Sequence, residues 1–226
     1  MIPVTLTYEG QKVTKLLPVA WHEVTWNQFV ELSRLAPNLT EYTCCFLGLD
    51  SEDVPDNLIS EISPILAFCL TDAEEMVLPV KRKPAVATAP WNKLIEAQLY
   101  IELFGGKMID SGKELIRIYY HEDISEASVS YALPLVIHLW NELNTFLSQY
   151  EELGKSYLEA EEEIAMLLPN GESAFASFGW MASNMQLCGN NPLLYDQMIN
   201  AKTKYVYDTL LYLHRQDYVR SRMRNK

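Results

Sequence analysis

The four histidines are the first candidates for chemistry, because imidazole is the commonest side-chain ligand for transition metals. They stand at positions 22, 121, 138 and 214, and none has a second His or Cys at ligand spacing. His121 heads the triplet His121-Glu122-Asp123, which lacks the H-E-x-x-H pattern that places two imidazoles on one helical face. His138 lies between Ile137 and Leu139, which favours a hydrogen-bonded residue at the edge of a core. We therefore expect no metal site.

Carboxylates and glycines give no stronger indication of a reaction. Six glutamates lie between positions 151 and 163, but without a nearby His or Asp such a run is more typical of a solvated helix face. Gly105-Gly106 is the only glycine pair, and it stands where a helix would end, whereas phosphate sites open a helix. No G-x-S-x-G motif is present. We expect no enzyme, no catalytic residue and no cofactor.

The cysteines indicate a reducing environment. Cys44, Cys45, Cys69 and Cys188 are too few and too scattered for a disulfide framework, so we expect four reduced and mostly buried thiols. No basic and then apolar leader opens the chain, and its apolar runs are too short for a bilayer span. These features predict a cytoplasmic protein, of a bacterium or of an infected host cell, that does not contact a membrane.

Length and charge limit the possible partners. The 226 residues are enough for one domain or two small ones, and 49% apolar with 21% charged residues is typical of a folded domain. Acidic residues outnumber basic ones by 30 to 18, giving a net charge of −12. Binding a polyanion needs neutralising cations, so nucleic acid is not an expected partner.

The N-terminal elements are predicted from turn and cap signals. Residues 4–16 alternate as a hairpin with its turn at Glu9-Gly10-Gln11. Thr25 and Gln28 form a capping box that opens a helix from Trp26 to about Ala36. A second helix is predicted between Asn38 and Gly48, and an apolar stripe over 58–70 contains Pro64 as an expected kink.

The rest of the chain is also predicted to be largely helical. A helix should run from Pro90 to Phe104, and residues 107–120 are predicted to be extended, as one or two strands. Ser125 is predicted to cap the longest helix, with shorter helices and a last helix following. The predicted fold class is mainly α, a multi-helix globular domain with a small N-terminal antiparallel hairpin, at the margin of α+β.

Composition divides the chain into three parts. Residues 1–77 hold the hairpin and the first helices, 78–90 form a Pro-rich linker or arm, and 91–226 form a helical region that could pack with 1–77 as one domain. The linker contains a Lys-Arg-Lys triplet, for which a solvated loop is favoured over a localisation or nucleic-acid patch.

Aromatic and basic residues are the candidates for protein binding. Thirteen tyrosines and five tryptophans are many for this length, and both types are enriched at binding surfaces. From Lys202 onward the chain carries +5, whereas the rest carries −17. The basic end could simply complement the last helix dipole, or it could dock on an acidic partner or on the chain's own 151–163 face, within or between subunits. The candidate protein-binding residues are Trp21, Trp26, Phe178, Trp180, Arg220, Arg222 and Arg224.

Three segments resemble a family. Pro18 and Trp21, followed by Glu23-Val24-Thr25 and Gln28-Phe29, resemble the opening of small helical proteins of tailed phages with Bacteroidetes-type hosts. Phe178-Gly179-Trp180-Met181 and the tyrosine-rich last helix with its basic end are also similar to that group. Proteins of this kind are identified as tail assembly chaperones or are left as phage proteins of unknown function. The three segments cover only part of the chain, and none is a catalytic motif.

The resemblance implies a non-enzymatic role in phage morphogenesis. Such chaperones coat a long helical tape-measure protein until tail-tube subunits replace them, so the implied partner is the tape-measure or another tail protein, with a homo-oligomer also possible. A virion structural protein, such as a neck, connector or tail-completion component, is the first alternative. A soluble enzyme or regulator is the distant alternative.

Overall fold

Helices dominate the part of the chain that the computed structural model describes, which is residues 1–8, 11–50, 54, 56–71, 82, 85–150, 153, 184–185, 187–189 and 191–224. The sheet in these residues is a two-stranded antiparallel hairpin at the N terminus. The predicted fold class is therefore confirmed. The chain divides into two units, a first unit of Met1–Lys81 with Phe104–His138 and a second unit of Arg82–Leu103 with Leu139–Lys226.

This division is different from the one that composition suggests. Residues 104–138 group with the N-terminal segment, and residues 85–90 of the predicted linker belong to the second unit. Val86 is buried there, and its N–H donates to Glu142 Oε1 at 2.7 Å. Most of residues 78–84 lie outside the described residues, so a linker in that shorter segment stays a prediction.

The hairpin consists of β1 (Ile2–Tyr8) and β2 (Gln11–Leu17), paired from Tyr8↔Gln11 to Ile2↔Leu17. This confirms the predicted hairpin, although Glu9 and Gly10 of its turn lie outside the described residues. Leu17 is buried in an apolar cluster of the first unit, whereas residues 12–16 are exposed. The base of the hairpin is thus anchored, and β2 is solvent-facing for most of its length.

The first helices begin and end as their cap signals predict. Thr25 Oγ1 accepts from the Gln28 N–H, and Gln28 Oε1 accepts from the Thr25 N–H, at the start of α1 (Trp26–Arg34). α2 (Leu39–Leu47) begins after Asn38, whose Oδ1 accepts from Thr40, and ends at Gly48 in the left-handed conformation, with φ +66°. The 58–70 stripe is interrupted around Pro64, with α3 (Asp56–Ile62) before it and a 3₁₀ turn (Leu66–Leu70) after it.

The prediction of strands over 107–120 is wrong, because these residues form α5 (Met108–Tyr120). α4 (Trp91–Leu103) precedes it, and the glycines at 105 and 106 have positive φ, as expected of a helix end. The isoleucines and tyrosines of α5 favour strands, and Ser111-Gly112 is typical of a turn. The buried positions of this segment nevertheless follow a helical period, namely 111, 112, 115, 116, 118 and 119.

The prediction that Ser125 caps the helix after α5 is also wrong. α6 (Val129–Ser148) begins four residues after Ser125, whose N–H and hydroxyl both donate to Asp123 Oδ1 in the preceding turn. The last elements are a 3₁₀ turn (Pro192–Leu194), α7 (Tyr195–Ile199) and α8 (Thr203–Arg224). At 22 residues, α8 rather than the 20-residue α6 is the longest described helix.

In each unit, the starts of two helices are joined by the same pair of backbone hydrogen bonds. In the first unit the Trp26 N–H donates to Ala127 O and the Val129 N–H donates to Val24 O, both at 2.8 Å. These residues begin α1 and α6. First-turn amides have no partner within their own helix, so the residue two positions before each helix supplies the carbonyl for the first amide of the other helix.

The second unit repeats this arrangement between α4 and α8. The Trp91 N–H donates to Ala201 O and the Thr203 N–H donates to Ala89 O, again both at 2.8 Å. The middle residues, Pro90 and Lys202, face each other without exchanging hydrogen bonds, so a proline is tolerated at this position. We call each arrangement a helix-start pair; both place a buried tryptophan at the first position of a helix.

Gly112 permits the close packing of three helices in the first unit. A Cβ at this position of α5 would lie 2.8 Å from Trp26 Cζ2 and 2.8 Å from Val136 Cγ1. Real Cβ atoms do not approach carbon that closely, so the absence of a side chain is what lets α5 contact α1 and α6.

We expect Gly112→Ala to destabilise the protein by about 1–2 kcal/mol, because overpacking costs about 1–3 kcal/mol and the better helix propensity of alanine returns up to about 1 kcal/mol. Urea unfolding measures the change, with Asn141→Ala, at an exposed position of α6, as the control. Val136→Ala in the same chain should recover part of the loss. A Gly112→Ala protein as stable as the wild type would contradict the packing.

The helix-start pairs predict slow amide exchange at positions where helices normally exchange fast. We expect the N–H groups of Trp26, Val129, Trp91 and Thr203 to exchange at least about 10-fold more slowly than that of Leu39, the first residue of α2. Hydrogen exchange followed by NMR gives these rates. Equal rates at Leu39 and at the four paired amides would contradict the prediction.

Candidate partner-binding face

The tryptophans predicted as binding residues lie in the core of the first unit. Trp21 is 6% exposed and its ring packs edge-on against Phe29 and Phe68, with centroid distances of 5.6 and 5.3 Å. Trp26 is 1% exposed and packs against Phe29. Both side chains therefore offer almost no surface to a partner, and their role in this structure is packing.

The other predicted binding residues lie at or beyond the limits of what is described. Phe178 and Trp180 lie outside the described residues. Arg220 is on α8 and is exposed. Arg222 and Arg224 fall within the range of α8, but their side chains are not among those described.

α8 is held in the second unit by one face near its start. Thr203, Val206 and Tyr207 are buried there. The Tyr207 ring contacts three others, with centroid distances of 5.3 Å to Trp91, 5.3 Å to Phe146 and 4.8 Å to Tyr150. Its burial and its three ring contacts make Tyr207 an aromatic anchor for the helix. Burial also raises the pKa of Tyr207 to about 12.

Polar contacts support the aromatic cluster. The Trp91 indole N–H donates to Asn184 Oδ1 at 2.9 Å, and both residues are buried. The Tyr150 hydroxyl donates to Asp208 Oδ1 at 2.7 Å, and Lys204 Nζ donates to Asp208 Oδ2 at 2.7 Å. The hydrogen bonds from Lys204 and Tyr150 lower the pKa of Asp208, while burial and then the bond to Asp208 raise the pKa of Tyr150.

The opposite face of α8 carries four exposed apolar or aromatic side chains. Tyr205, Tyr212, Val219 and Met223 are 70%, 65%, 50% and 73% exposed. At about 100° per residue they lie within about 40° of one another around the helix, on the side away from Val206 and Tyr207. We call these four residues the outer stripe. The first three are spaced by seven residues, which is the spacing of one of the two apolar positions of a heptad.

The charge around the outer stripe changes along the helix. Near its start, Lys204 and Asp208 neutralise each other. Further along, Arg215 and Arg220 are exposed and lie on opposite sides of the stripe by helical phase. The outer stripe is therefore bordered by the Lys204–Asp208 ion pair in its first half and by Arg215 and Arg220 in its second half.

Metal-binding side chains and cysteines are the reactive groups to consider in the described residues. They contain no group of three or more His, Cys, Asp or Glu side chains that could hold a metal ion. Burial raises the pKa of Cys45 to about 11 and that of Cys69 to about 12, so the reactive thiolate is disfavoured at both. All four cysteines are free, and three of them are buried, as the sequence predicts.

Comparisons with known proteins add no identification. No family model matches the chain, and neither the curated proteins nor the solved structures contain a significant match. Among the described residues, no helix is both long and apolar enough to cross a membrane. The outer stripe is a feature that sequence reasoning missed, although the seven-residue spacing of Tyr205, Tyr212 and Val219 is visible in the sequence.

The contacts of Asp208 predict a pH-dependent stability. Its pKa lies below the ordinary value of 3.8, so the ionised carboxylate stabilises the fold above that pH, and this contribution is lost as the pH falls through the lowered pKa. We expect Asp208→Asn to lower the melting temperature at neutral pH and the difference from wild type to shrink below pH 3.8. Asp196→Asn, at an exposed position of α7, is the control. A difference that does not change with pH would contradict the prediction.

Proposed function

We propose that this protein is a non-enzymatic phage morphogenesis factor, a tail assembly chaperone that binds a helical tape-measure protein in the host cytoplasm. The observation that carries the proposal is the outer stripe of α8. Exposed apolar side chains aligned on one helix face are typical of protein-binding surfaces. A face with seven-residue spacing is suited to binding another helix.

Two further observations agree with this proposal. The segment that resembles phage chaperones, residues 18–29, acts structurally here, since Thr25 and Gln28 cap α1. The net charge of −12 favours solubility, which a protein that covers apolar surfaces of another protein requires.

The alternative is a structural protein that stays in the virion, and one observation favours it. The hairpin has two strands, and no third strand pairs with them in the described part of the chain. Leu16 on β2 is 61% exposed. A strand from a neighbouring subunit could extend such a sheet, which is a common way of joining subunits.

The two roles predict different locations, which quantitative mass spectrometry can measure in purified particles and in the lysate of infected cells. The chaperone should be abundant in the lysate and absent from particles, because tail-tube subunits replace it during assembly. A tail-tube subunit serves as the control for particle recovery. A fixed stoichiometry in particles would overturn the chaperone and support the structural alternative.

Co-expression tests the chaperone activity directly. The tape-measure protein of the same phage should stay soluble when produced together with this protein and aggregate when produced alone. Equal solubility in both cases would contradict the chaperone proposal even if the protein is absent from particles.

A further inference from the structure

We propose that the outer edge of β2 binds an extended segment of a partner protein, which adds to the hairpin as a third strand and carries acidic residues opposite Lys12 and Lys15. The outer edge is the side of β2 that faces away from β1. This surface is separate from the outer stripe of α8, and the inference does not rest on the proposed function.

The register of the hairpin determines which backbone groups lie on this edge. In an antiparallel ladder, pairs that exchange hydrogen bonds alternate with pairs that do not. Tyr8 and Gln11 are paired across a two-residue turn, which is the exchanging type. By this alternation Pro3 falls in a non-exchanging pair with Leu16, where the missing N–H of proline does not interrupt the ladder.

The outward backbone groups of β2 are therefore those of Lys12, Thr14 and Leu16. All three residues are exposed, Leu16 at 61%, and no group in the described part of the chain forms a hydrogen bond with their outward N–H and C=O groups. Thr14 Oγ1 lies 3.1 Å from Thr5 Oγ1 on β1, which is the close side-chain approach of a non-exchanging pair. The outer edge of β2 thus offers donors and acceptors to an added strand.

The opposite edge of the hairpin, on β1, is less suited to strand addition. By the same alternation its outward groups belong to Pro3, Thr5 and Thr7, and Pro3 has no N–H to donate. Proline on an edge strand is a common protection against pairing. β2 contains no proline, so the hairpin is open to a third strand on the β2 side.

The charge of the hairpin favours an acidic partner. The two strands contain two lysines, Lys12 and Lys15, and no acidic residue, whereas the whole chain carries −12. Both lysines are exposed, and neither forms an ion pair in the described residues. They are three residues apart, so they lie on opposite faces of the sheet. A partner strand with an acidic residue on each face would complement both lysines.

A second copy of this edge is a poorer fit. Pairing of β2 with β2 of another copy would place four lysines on two adjacent strands, with no carboxylate in either strand. Lysine on an edge strand opposes such self-pairing, because like charges across strands destabilise a sheet. The same two lysines therefore favour an acidic strand and disfavour a second copy.

The register also gives the residue order of a complementary strand. Antiparallel addition, the more stable arrangement, would place glutamates opposite Lys15 and Lys12, a threonine opposite Thr14 and apolar residues opposite Leu16 and Val13. Because the added strand runs against β2, its sequence from the N terminus is Val-Glu-Thr-Val-Glu.

NMR titration of the full-length protein with two extended peptides tests this inference. One peptide contains this five-residue sequence, and in the other both glutamates are replaced by lysine. We expect the glutamate peptide to bind at least about 10-fold more tightly, with an affinity that falls as salt is added. In the complex the N–H groups of Lys12, Thr14 and Leu16 should exchange more slowly, whereas those of Val13 and Lys15, which face β1, should not change.

Proline substitutions at one cross-strand pair give a matched test of the edge. Thr14→Pro removes an outward N–H of β2 and Thr5→Pro removes an outward N–H of β1, and both lose the same hydroxyl contact. Thr14→Pro should weaken the glutamate peptide by at least about 10-fold, and Thr5→Pro should leave its affinity unchanged. Circular dichroism and melting curves verify that each variant is folded.

Charge variants test the chemistry of the partner. Lys12→Glu/Lys15→Glu should reverse the preference, so that the lysine peptide binds more tightly than the glutamate peptide. Lys107→Glu/Lys202→Glu makes the same change of net charge at exposed positions outside the hairpin and should leave the preference unchanged.

Four outcomes would overturn the inference. They are no binding of either peptide, equal binding of both, equal loss in the Thr14→Pro and Thr5→Pro proteins, and a dimer in sedimentation that Thr14→Pro dissociates. The last would assign the edge to a second copy of the chain. None of these results depends on whether the protein is found in particles, so the inference and the proposed function can be contradicted separately.

Discussion

The first-turn amides of a helix need carbonyl partners from outside that helix, and in both units this requirement is met by pairing two helix starts. The pair formed by Trp26 and Val129 joins α1 to α6, and the pair formed by Trp91 and Thr203 joins α4 to α8. In each case segments about a hundred residues apart are placed within hydrogen-bonding distance. The tryptophan at the start of α1 and the one at the start of α4 are both buried.

The position of the outer stripe follows from this constraint. The pair at Pro90 and Lys202 fixes the start of α8, and the contact of Tyr207 with Trp91 fixes its rotation about its own axis. Once Val206 and Tyr207 are buried, the helical period places Tyr205, Tyr212, Val219 and Met223 on the opposite side. Their exposure is therefore a consequence of how α8 is anchored and does not depend on local sequence preference.

Features that depend on neighbouring residues could be predicted from the sequence, and those that depend on distant residues could not. The Thr25–Gln28 capping box, the end of α2 at Gly48 and the interruption at Pro64 are all encoded within a few residues. α5 was predicted as strand because its isoleucines and tyrosines favour strands, while the role of Gly112 requires knowing that Trp26 and Val136 contact it. Trp21 and Trp26 are predicted from the sequence as protein-binding residues, whereas their burial, which depends on distant residues, places them in the core.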